Sequence, residues 1–194
     1  EAEFGFEGSR LPAPELEVGG RRITVRGKID RVDVAGDMAR VVDYKTGGVK
    51  FDLKDLRCGV KLQLLVYLAV LVNAGYRPAG AFYFPTLSEF GDEEPFMMEG
   101  LCANGEDVLA ATDPGIADVG SSAIVHVKKR GKKTYVGWDS DENDLRMLAD
   151  YALRAAAGAA GEIADGYIAP SPYGPVDACA RCDYAAVCGY EGAK

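Results

Sequence analysis

The sequence predicts an α/β fold, in which strands and helices alternate along one chain of 194 residues. Three observations lead to this prediction. Two segments near the start alternate apolar and polar residues around a Gly–Asp turn, which indicates a β-hairpin. An apolar stretch with helical spacing follows, and then a segment rich in strong β-forming residues. A chain of this length is the size of one domain with a substantial core.

The predicted hairpin contains two strands. The first covers residues 21–35, with a bend or bulge near Gly27, because the apolar alternation shifts its phase there. Gly36–Asp37 is the predicted turn, and the second strand is "MARVVDYKT".

A single helix is predicted over residues 55–74, because Leu56, Val60 and Leu64 recur every four residues. The next strand is predicted over residues 78–87, "PAGAFYFPTL". The chain therefore opens in the order strand, strand, helix, strand.

The second half is predicted to contain a short helix in "NGEDVLAATD" and a strand pair around the basic turn at Arg130–Gly131. The longest helix is predicted over residues 140–166, with Ser140 as its N-cap and acidic residues in its first turn. We divide the chain into a main domain, residues 1–168, and a cysteine-rich C-terminal appendage, residues 169–194.

Overall charge limits the possible functions. The chain has 22 basic and 30 acidic residues, a net charge of −8, which argues against a nucleic-acid coat protein because phosphates need a positive surface. A local patch, "HVKKRGKK" at residues 126–133, is either a solvated hairpin or a phosphate-contacting loop. His126 has basic neighbours and no partner motif for catalysis, so we expect no catalytic role for it. The longest apolar run is shorter than the roughly 20 residues that span a bilayer, so we expect no membrane contact and a cytoplasmic location.

The five cysteines cannot all pair with one another, because their number is odd. Cys179, Cys182 and Cys188 lie close together near the C-terminal end. This clustering suits ligation of a metal or a metal cluster in a reducing compartment better than a disulfide framework. Of the other two, Cys58 is predicted to lie in the first helix, remote from the tail, and Cys102 in a strand or loop.

Two carboxylates and a lysine are predicted to meet at the hairpin. Asp43 and Lys45 are two positions apart on one strand and so share a face, and Asp30 lies on the strand before. Two carboxylates facing one cleft repel each other unless a cation lies between them, and their oxygens suit Mg²⁺ or Mn²⁺. Lys45 would then orient a water and offset charge on a phosphate. The alternative is a surface ion pair of little energetic value.

Gln63 and Tyr67 are polar residues on an otherwise apolar helix, and their spacing of four places them on one face. They either face solvent, satisfy a buried partner, or reach back to the carboxylate–lysine site. The sequence leaves these alternatives open.

The segments "GKIDRVD", "VVDYKTG" and "LQLLVY" resemble, in order, the motifs of the RecB-type PD-(D/E)XK nucleases. The similarity continues through "PAGAFYFPT" and the long helix to the ending "APSPYGPVDACARCDYAAVCGY". Over nearly the whole chain it resembles the C-terminal nuclease domain of AddB-type subunits, which belong to bacterial helicase–nucleases that process double-strand breaks.

The resemblance implies a PD-(D/E)XK restriction-endonuclease-like fold, with a mixed central sheet flanked by helices. It also implies a site built on the motif positions. The metal ligands are Asp30, Asp43 and the backbone carbonyl of Tyr44, the catalytic lysine is Lys45, and Gln63 and Tyr67 orient that lysine and contact DNA.

The resemblance further implies that Cys179, Cys182 and Cys188 supply three of the four ligands of a [4Fe–4S] cluster. In this family the fourth cysteine lies upstream, in the helicase-like region. We therefore expect an incomplete cluster in this chain. The helix that precedes "EFGF" in the family, which often supplies another acidic or histidine ligand to the divalent metal, is also missing from the main domain.

The resulting hypothesis is a Mg²⁺-dependent DNA exonuclease module that works in double-strand break repair and recombination, beside an AddA-type helicase–nuclease subunit. One alternative is a non-catalytic DNA-binding or scaffold module with an iron–sulfur tail. Another is a Cas4-like nuclease, against which the single cysteine triplet of the tail argues.

Overall fold

The computed structural model describes residues 2–5, 11–47, 50–87, 96–173, 175–180 and 182–190. Its centre is a five-stranded mixed sheet with the strand order β1-β4-β5-β6-β7. The strands of this sheet are β1 (Ala2–Gly5), β4 (Lys28–Ala35), β5 (Met38–Lys45), β6 (Arg77–Pro85) and β7 (Glu99–Cys102). Two antiparallel ribbons stand apart from it, β2 (Glu15–Val18) with β3 (Arg21–Thr24), and β8 (Val127–Arg130) with β9 (Lys133–Val136).

The predicted hairpin and the mixed character of the sheet are both confirmed. Strands β4 and β5 are antiparallel and joined at Gly36, whose φ of 63° suits glycine. Strands β5 and β6 are parallel, so the chain between them has to cross over the sheet, and it does so through helices.

The helices are α1 (Leu53–Arg57), α2 (Gln63–Asn73), α3 (Glu106–Thr112), α4 (Pro114–Asp118), α5 (Glu142–Ala164), α6 (Pro175–Ala180) and α7 (Ala185–Cys188). Helix α2 contacts β5 and β6 on one side and α5 on the other. A helix covered on two sides must be apolar nearly all round, and residues 64–71 of α2 are all buried. One part of the core therefore lies between the sheet and α5, with α2 at its centre, and buried residues of α3 and α4 (Val108, Leu109 and Ile116) also belong to the core.

The prediction of one bulged strand over residues 21–35 is wrong. The segment forms two strands in different sheets, β3 paired with β2 and β4 paired with β5. The shift in alternation near Gly27 marks the point where the chain leaves one sheet and enters the other. Sequence periodicity cannot separate a bulge from such a transfer, since both change which residues face inward.

The prediction of one helix over residues 55–74 is also wrong, because the chain breaks between α1 and α2. Cys58 caps the end of α1, and Gly59 and Lys61 have φ of 73° and 56°, outside the helical region. The spacing of Leu56 and Leu64 fits a continuous helix equally well, which is why the pattern misses the break.

The start of α5 differs from the prediction by one residue. Asp141, not Ser140, is the N-cap, and it forms a capping box with Asp144. Ser140 instead donates its hydroxyl hydrogen to the carbonyl of Cys102 and so ties the helix start to β7. Within the ranges that the structure describes, no helix is both long and apolar enough to cross a membrane.

Candidate active site

The site lies where strand β5 ends, beside the parallel strand β6. Asp43 is paired in register with Tyr83, and the residue is only 2% exposed. The ammonium nitrogen of Lys45 lies 2.5 Å from Oδ2 of Asp43. The spacing of two along the strand therefore brings carboxylate and ammonium to one face, as the sequence predicts.

Asp30 reaches the same end of the hairpin from β4. Its Oδ2 accepts a 2.9 Å hydrogen bond from the backbone N–H of Tyr44. Burial raises the pKa of Asp43, and the charge of Asp30 raises it further, while the hydrogen bond and charge of Lys45 lower it. The net shift is upward, so the surroundings of Asp43 make its charged form less favourable than it is in water.

Helix α2 supplies the next two side chains. Lys45 donates from Nζ to Oε1 of Gln63 over 3.1 Å, and Gln63 donates from Nε2 to the Tyr67 hydroxyl over 2.8 Å. Gln63 is the first residue of α2, so the break after α1 sets its position. Gln63 and Tyr67 thus reach back to the site, and neither is simply a solvated polar residue.

The carboxylates fit a divalent cation on their own chemistry. Oδ2 of Asp43 is buried, and apart from the Lys45 ammonium it has no donor among the residues that the structure describes. A second anionic group, Asp30, adds to the local negative charge, and oxygen ligands of this kind suit Mg²⁺ or Mn²⁺. The part of the chain that the structure describes contains no group of three or more His, Cys, Asp or Glu side chains placed to hold a metal.

Two residues at the site give no signal in the sequence. The ring centroid of Tyr83 lies 5.5 Å from Nζ of Lys45, and burial together with the Asp43 charge raises the pKa of Tyr83 to about 12. Glu99 is paired with Tyr83 across β6 and β7. A cavity of about 460 Å³ is lined by Lys45, Lys50, Lys61, Tyr83 and Glu99. Only the sheet register brings Glu99 to this place.

The sequence profile of the PD-(D/E)XK nuclease superfamily matches residues 1–189. The chain belongs to this nuclease superfamily.

Several curated relatives of this PD-(D/E)XK chain share one name, which describes the B subunit of an ATP-dependent helicase/deoxyribonuclease. The protein from Clostridium tetani is 29% identical over 98% of this chain, and the one from Moorella thermoacetica is 31% identical over 98%. The one from Symbiobacterium thermophilum is 31% identical over the whole chain. In each case the chain spans 19% of the relative's length.

Asp33, the last aspartate of the nuclease motif "GKIDRVD", has a structural role in the hairpin. Asp33 faces Arg40 across the hairpin and accepts hydrogen bonds from Arg31 and Arg40. Burial alone would raise the pKa of Asp33, but these two guanidinium groups hold it below its ordinary value. Arg40 also donates to the carbonyl of Thr112. The network ties the nuclease hairpin to α3.

The cysteines of this nuclease chain do not form a metal group in the structure. Cys179 is half-buried, Cys182 and Cys188 are exposed, and the three are not placed to hold an ion within the described ranges. Ligation of a [4Fe–4S] cluster by these three cysteines stays a prediction. Cys179 lies in α6, Cys188 is the last residue of α7, and Cys182 lies between these two short helices.

The two remaining cysteines differ in their surroundings. Cys102 lies in a strand, as expected, and burial raises the pKa of its thiol to about 11. Cys58 is exposed and lies beside Tyr173, whose pKa it raises. The prediction that Cys58 lies inside a helix is wrong, because the break after α1 places it at a helix end. Tyr173 belongs to the C-terminal appendage, so Cys58 is not remote from the start of the tail either.

Proposed function

We propose that the chain is the metal-dependent DNA exonuclease module of an AddAB-type helicase–nuclease that acts in double-strand break repair and recombination. One observation carries the proposal. Asp43 forms an ion pair with Lys45, Lys45 donates a hydrogen bond to Gln63, and Asp30 lies beside them. An isolated surface ion pair would not be buried, and it would not be linked to a helix of the core. The name of the relatives, which includes the word deoxyribonuclease, supports DNA as the substrate.

Asp30, Asp43 and the carbonyl of Tyr44 would hold Mg²⁺ or Mn²⁺. When bound, such an ion polarises a phosphate oxygen and lowers the pKa of a bound water. Tyr44 already has its N–H fixed by Asp30, so the strand is held in place at the residue whose carbonyl would take part.

Lys45 acts on the phosphate. Its ammonium carries three hydrogens, of which one is directed at Gln63, and its positive charge offsets the charge that develops on the phosphate during cleavage. Gln63 acts through Lys45 as a positioning residue. Its own amide is held by the bond to Tyr67, so its oxygen stays turned toward the ammonium.

For the whole protein we further propose an AddA-type partner, a [4Fe–4S] cluster held by Cys179, Cys182, Cys188 and a fourth cysteine, and a cytoplasmic location. These proposals rest on the resemblance of the tail and motifs. The relatives' name makes a Cas4-like nuclease the weaker alternative.

The test is cleavage of end-labelled single-stranded DNA by the purified chain with Mg²⁺, with Mn²⁺ and with EDTA. We expect degradation only with a divalent metal, and a covalently closed circle of the same sequence should survive because an exonuclease needs an end. Asp43→Asn should abolish cleavage, and Lys45→Met should slow it about 10²–10³-fold while leaving Mn²⁺ binding nearly intact.

The control is Asp37→Asn, an exposed aspartate that faces Arg77, and it should cleave like the wild type. Full activity in Asp43→Asn would reject the site. A wild-type chain that binds DNA but never cleaves it would favour the scaffold alternative.

A further inference from the structure

The β8–β9 ribbon has one basic face. Because side chains alternate along a strand, Val127 and Val136 turn toward the body of the protein, where Val136 is buried and Val127 half-buried. The register pairs Lys128 with Tyr135 and Arg130 with Lys133. The opposite face therefore presents Lys128, Arg130, Lys133 and Tyr135.

The tip of this ribbon is electrostatically unfavourable in the free protein. Arg130 lies directly opposite Lys133, and like charges in that position destabilise a strand pair. Lys132 adds a third cation in the turn. Lys133 has an ion pair with Asp139, but Arg130 and Lys132 have no carboxylate partner among the residues that the structure describes. The cations at the tip of the ribbon are therefore suited to bind an anionic ligand.

The ribbon adjoins the candidate active site. Gly137, just after β9, packs against the carbonyl of Gly100 in β7 so closely that a Cβ would clash. A cavity of about 290 Å³ is lined by Glu99, His126 and Lys128. Glu99 also lines the cavity that contains Lys45, so this one residue borders both cavities and the ribbon lies next to the site.

We propose that the basic face of the β8–β9 ribbon, together with Lys132 in its turn, binds the sugar–phosphate backbone of the DNA strand whose scissile bond lies at Lys45. This inference rests on the proposed action on DNA and extends it to a second contact. A net charge of −8 repels DNA from most of the surface, so local cations that continue from the site supply the attraction. That continuity favours DNA over an acidic protein partner.

Glu99 opposes a phosphate beside these cavities. It is half exposed and lies 3.9 Å from Nε2 of His126. Glu99 borders both cavities, and a strand that passes it does so at an electrostatic cost. We therefore expect Glu99→Gln to bind DNA more tightly than the unmodified chain, which is the opposite of the effect of removing a ribbon cation.

The test uses the double variant Arg130→Ala/Lys132→Ala in an Asp43→Asn background, so that DNA is bound without being cut. Affinity for a fluorescent single-stranded oligonucleotide is measured by anisotropy over a series of KCl concentrations. Loss of two phosphate contacts should flatten the slope of log K against log[KCl] by about 1.4 and lower the affinity at low salt about tenfold or more. The melting temperature should stay the same or rise, because a like-charge pair has been removed.

The matched control is Arg22→Ala/Arg154→Ala in the same background, which removes the same charge from β3 and α5, and it should leave the slope nearly unchanged. An unchanged slope and affinity in the ribbon variant would overturn the proposal, and so would equal losses in both variants. If the ribbon variant melts earlier, Arg130→Gln/Lys132→Gln, which keeps the side-chain length, decides by the same slope. Because the background does not cut DNA, a failure of the proposed nuclease activity shows separately, in the cleavage assay.

Discussion

At the scale of one residue, Asp43 shows that the site contains a buried carboxylate that lowers the stability of the fold. An aspartate that is 2% exposed loses most of its hydration, and a single ammonium neighbour does not fully replace it. The upward direction of its pKa expresses that deficit. Groups placed for chemistry often carry such a cost.

We predict that Asp43→Asn raises the melting temperature at neutral pH in EDTA, since an amide has the same shape and no charge to desolvate. Lys45 keeps its bond to Gln63 in this variant. Adding Mn²⁺ should raise the melting temperature of the wild-type chain but not of the variant. Calorimetry of both proteins, with and without the ion, gives the measurement. A lower melting temperature for Asp43→Asn in EDTA would contradict this account.

The pKa of Asp33 is shifted in the opposite direction from that of Asp43. Its pKa is held down by Arg31 and Arg40 against the effect of burial, so it stabilises the fold above the ordinary aspartate pKa of about 4 and loses that effect as the pH falls through its folded value.

Asp33→Asn should therefore lower the free energy of unfolding by about 1–3 kcal/mol at pH 7. The difference from the wild type should shrink as the pH falls below about 4 and the native carboxyl takes up its proton. Urea titrations at several pH values measure it. The exposed Asp37→Asn is the control and should change the free energy by less than about 0.5 kcal/mol. A difference that does not vary with pH would show that packing, and not charge, is responsible.

At the scale of elements, the break between α1 and α2 sets the site, because it fixes where Gln63 begins its helix. Gly59 makes the break with a φ of 73° in open space. An L-residue there is strained whatever room it has.

Gly59→Ala is expected to destabilise the chain by about 1–2 kcal/mol and to slow cleavage, because the start of α2 would shift. Gly158→Ala is the matched control. It lies within α5, also in open space, and should stabilise by about 0.5–1 kcal/mol. Unfolding of both variants in denaturant measures the two changes in the free energy of unfolding. Equal effects from the two would mean that the backbone of Gly59 does not hold the break.

The hairpin of β4 and β5 and the position of Lys45 follow from the sequence because they depend on neighbours a few residues apart. The bond from Lys45 to Gln63 follows only as an open alternative, since it depends on how a helix crosses the sheet. Glu99 and the β2–β3 ribbon escape prediction altogether. Their places depend on pairing between strands far apart in the chain, which no local periodicity records.

At the scale of the whole molecule, the cysteines divide between the buried core and more exposed positions. The tail cysteines lie outside the packed region, and Cys102 cannot join them because it is buried in β7. A [4Fe–4S] cluster takes four protein ligands in this family of sites, which leaves Cys58 as the other exposed thiol.

We expect the chain purified in air to contain no stoichiometric cluster, and we propose that a longer chain with the upstream region restores it. Iron and acid-labile sulfide per chain are the quantities to measure. Four irons per chain would contradict the expectation. In that event Cys58→Ser separates two cases, since loss of the iron would identify Cys58 as the fourth ligand.

The burial of Cys102 also makes its thiol a probe of how often strand β7 opens. Its neutral, enclosed thiol cannot meet a reagent until β7 opens, so its modification rate reports the frequency of that opening, while the other thiols react at once. Strand β7 is the anchor of the β8–β9 ribbon through Gly100 and Gly137. If DNA slows the reaction of the Cys102 thiol further, the decrease in rate measures how strongly the bound strand keeps this edge of the sheet closed.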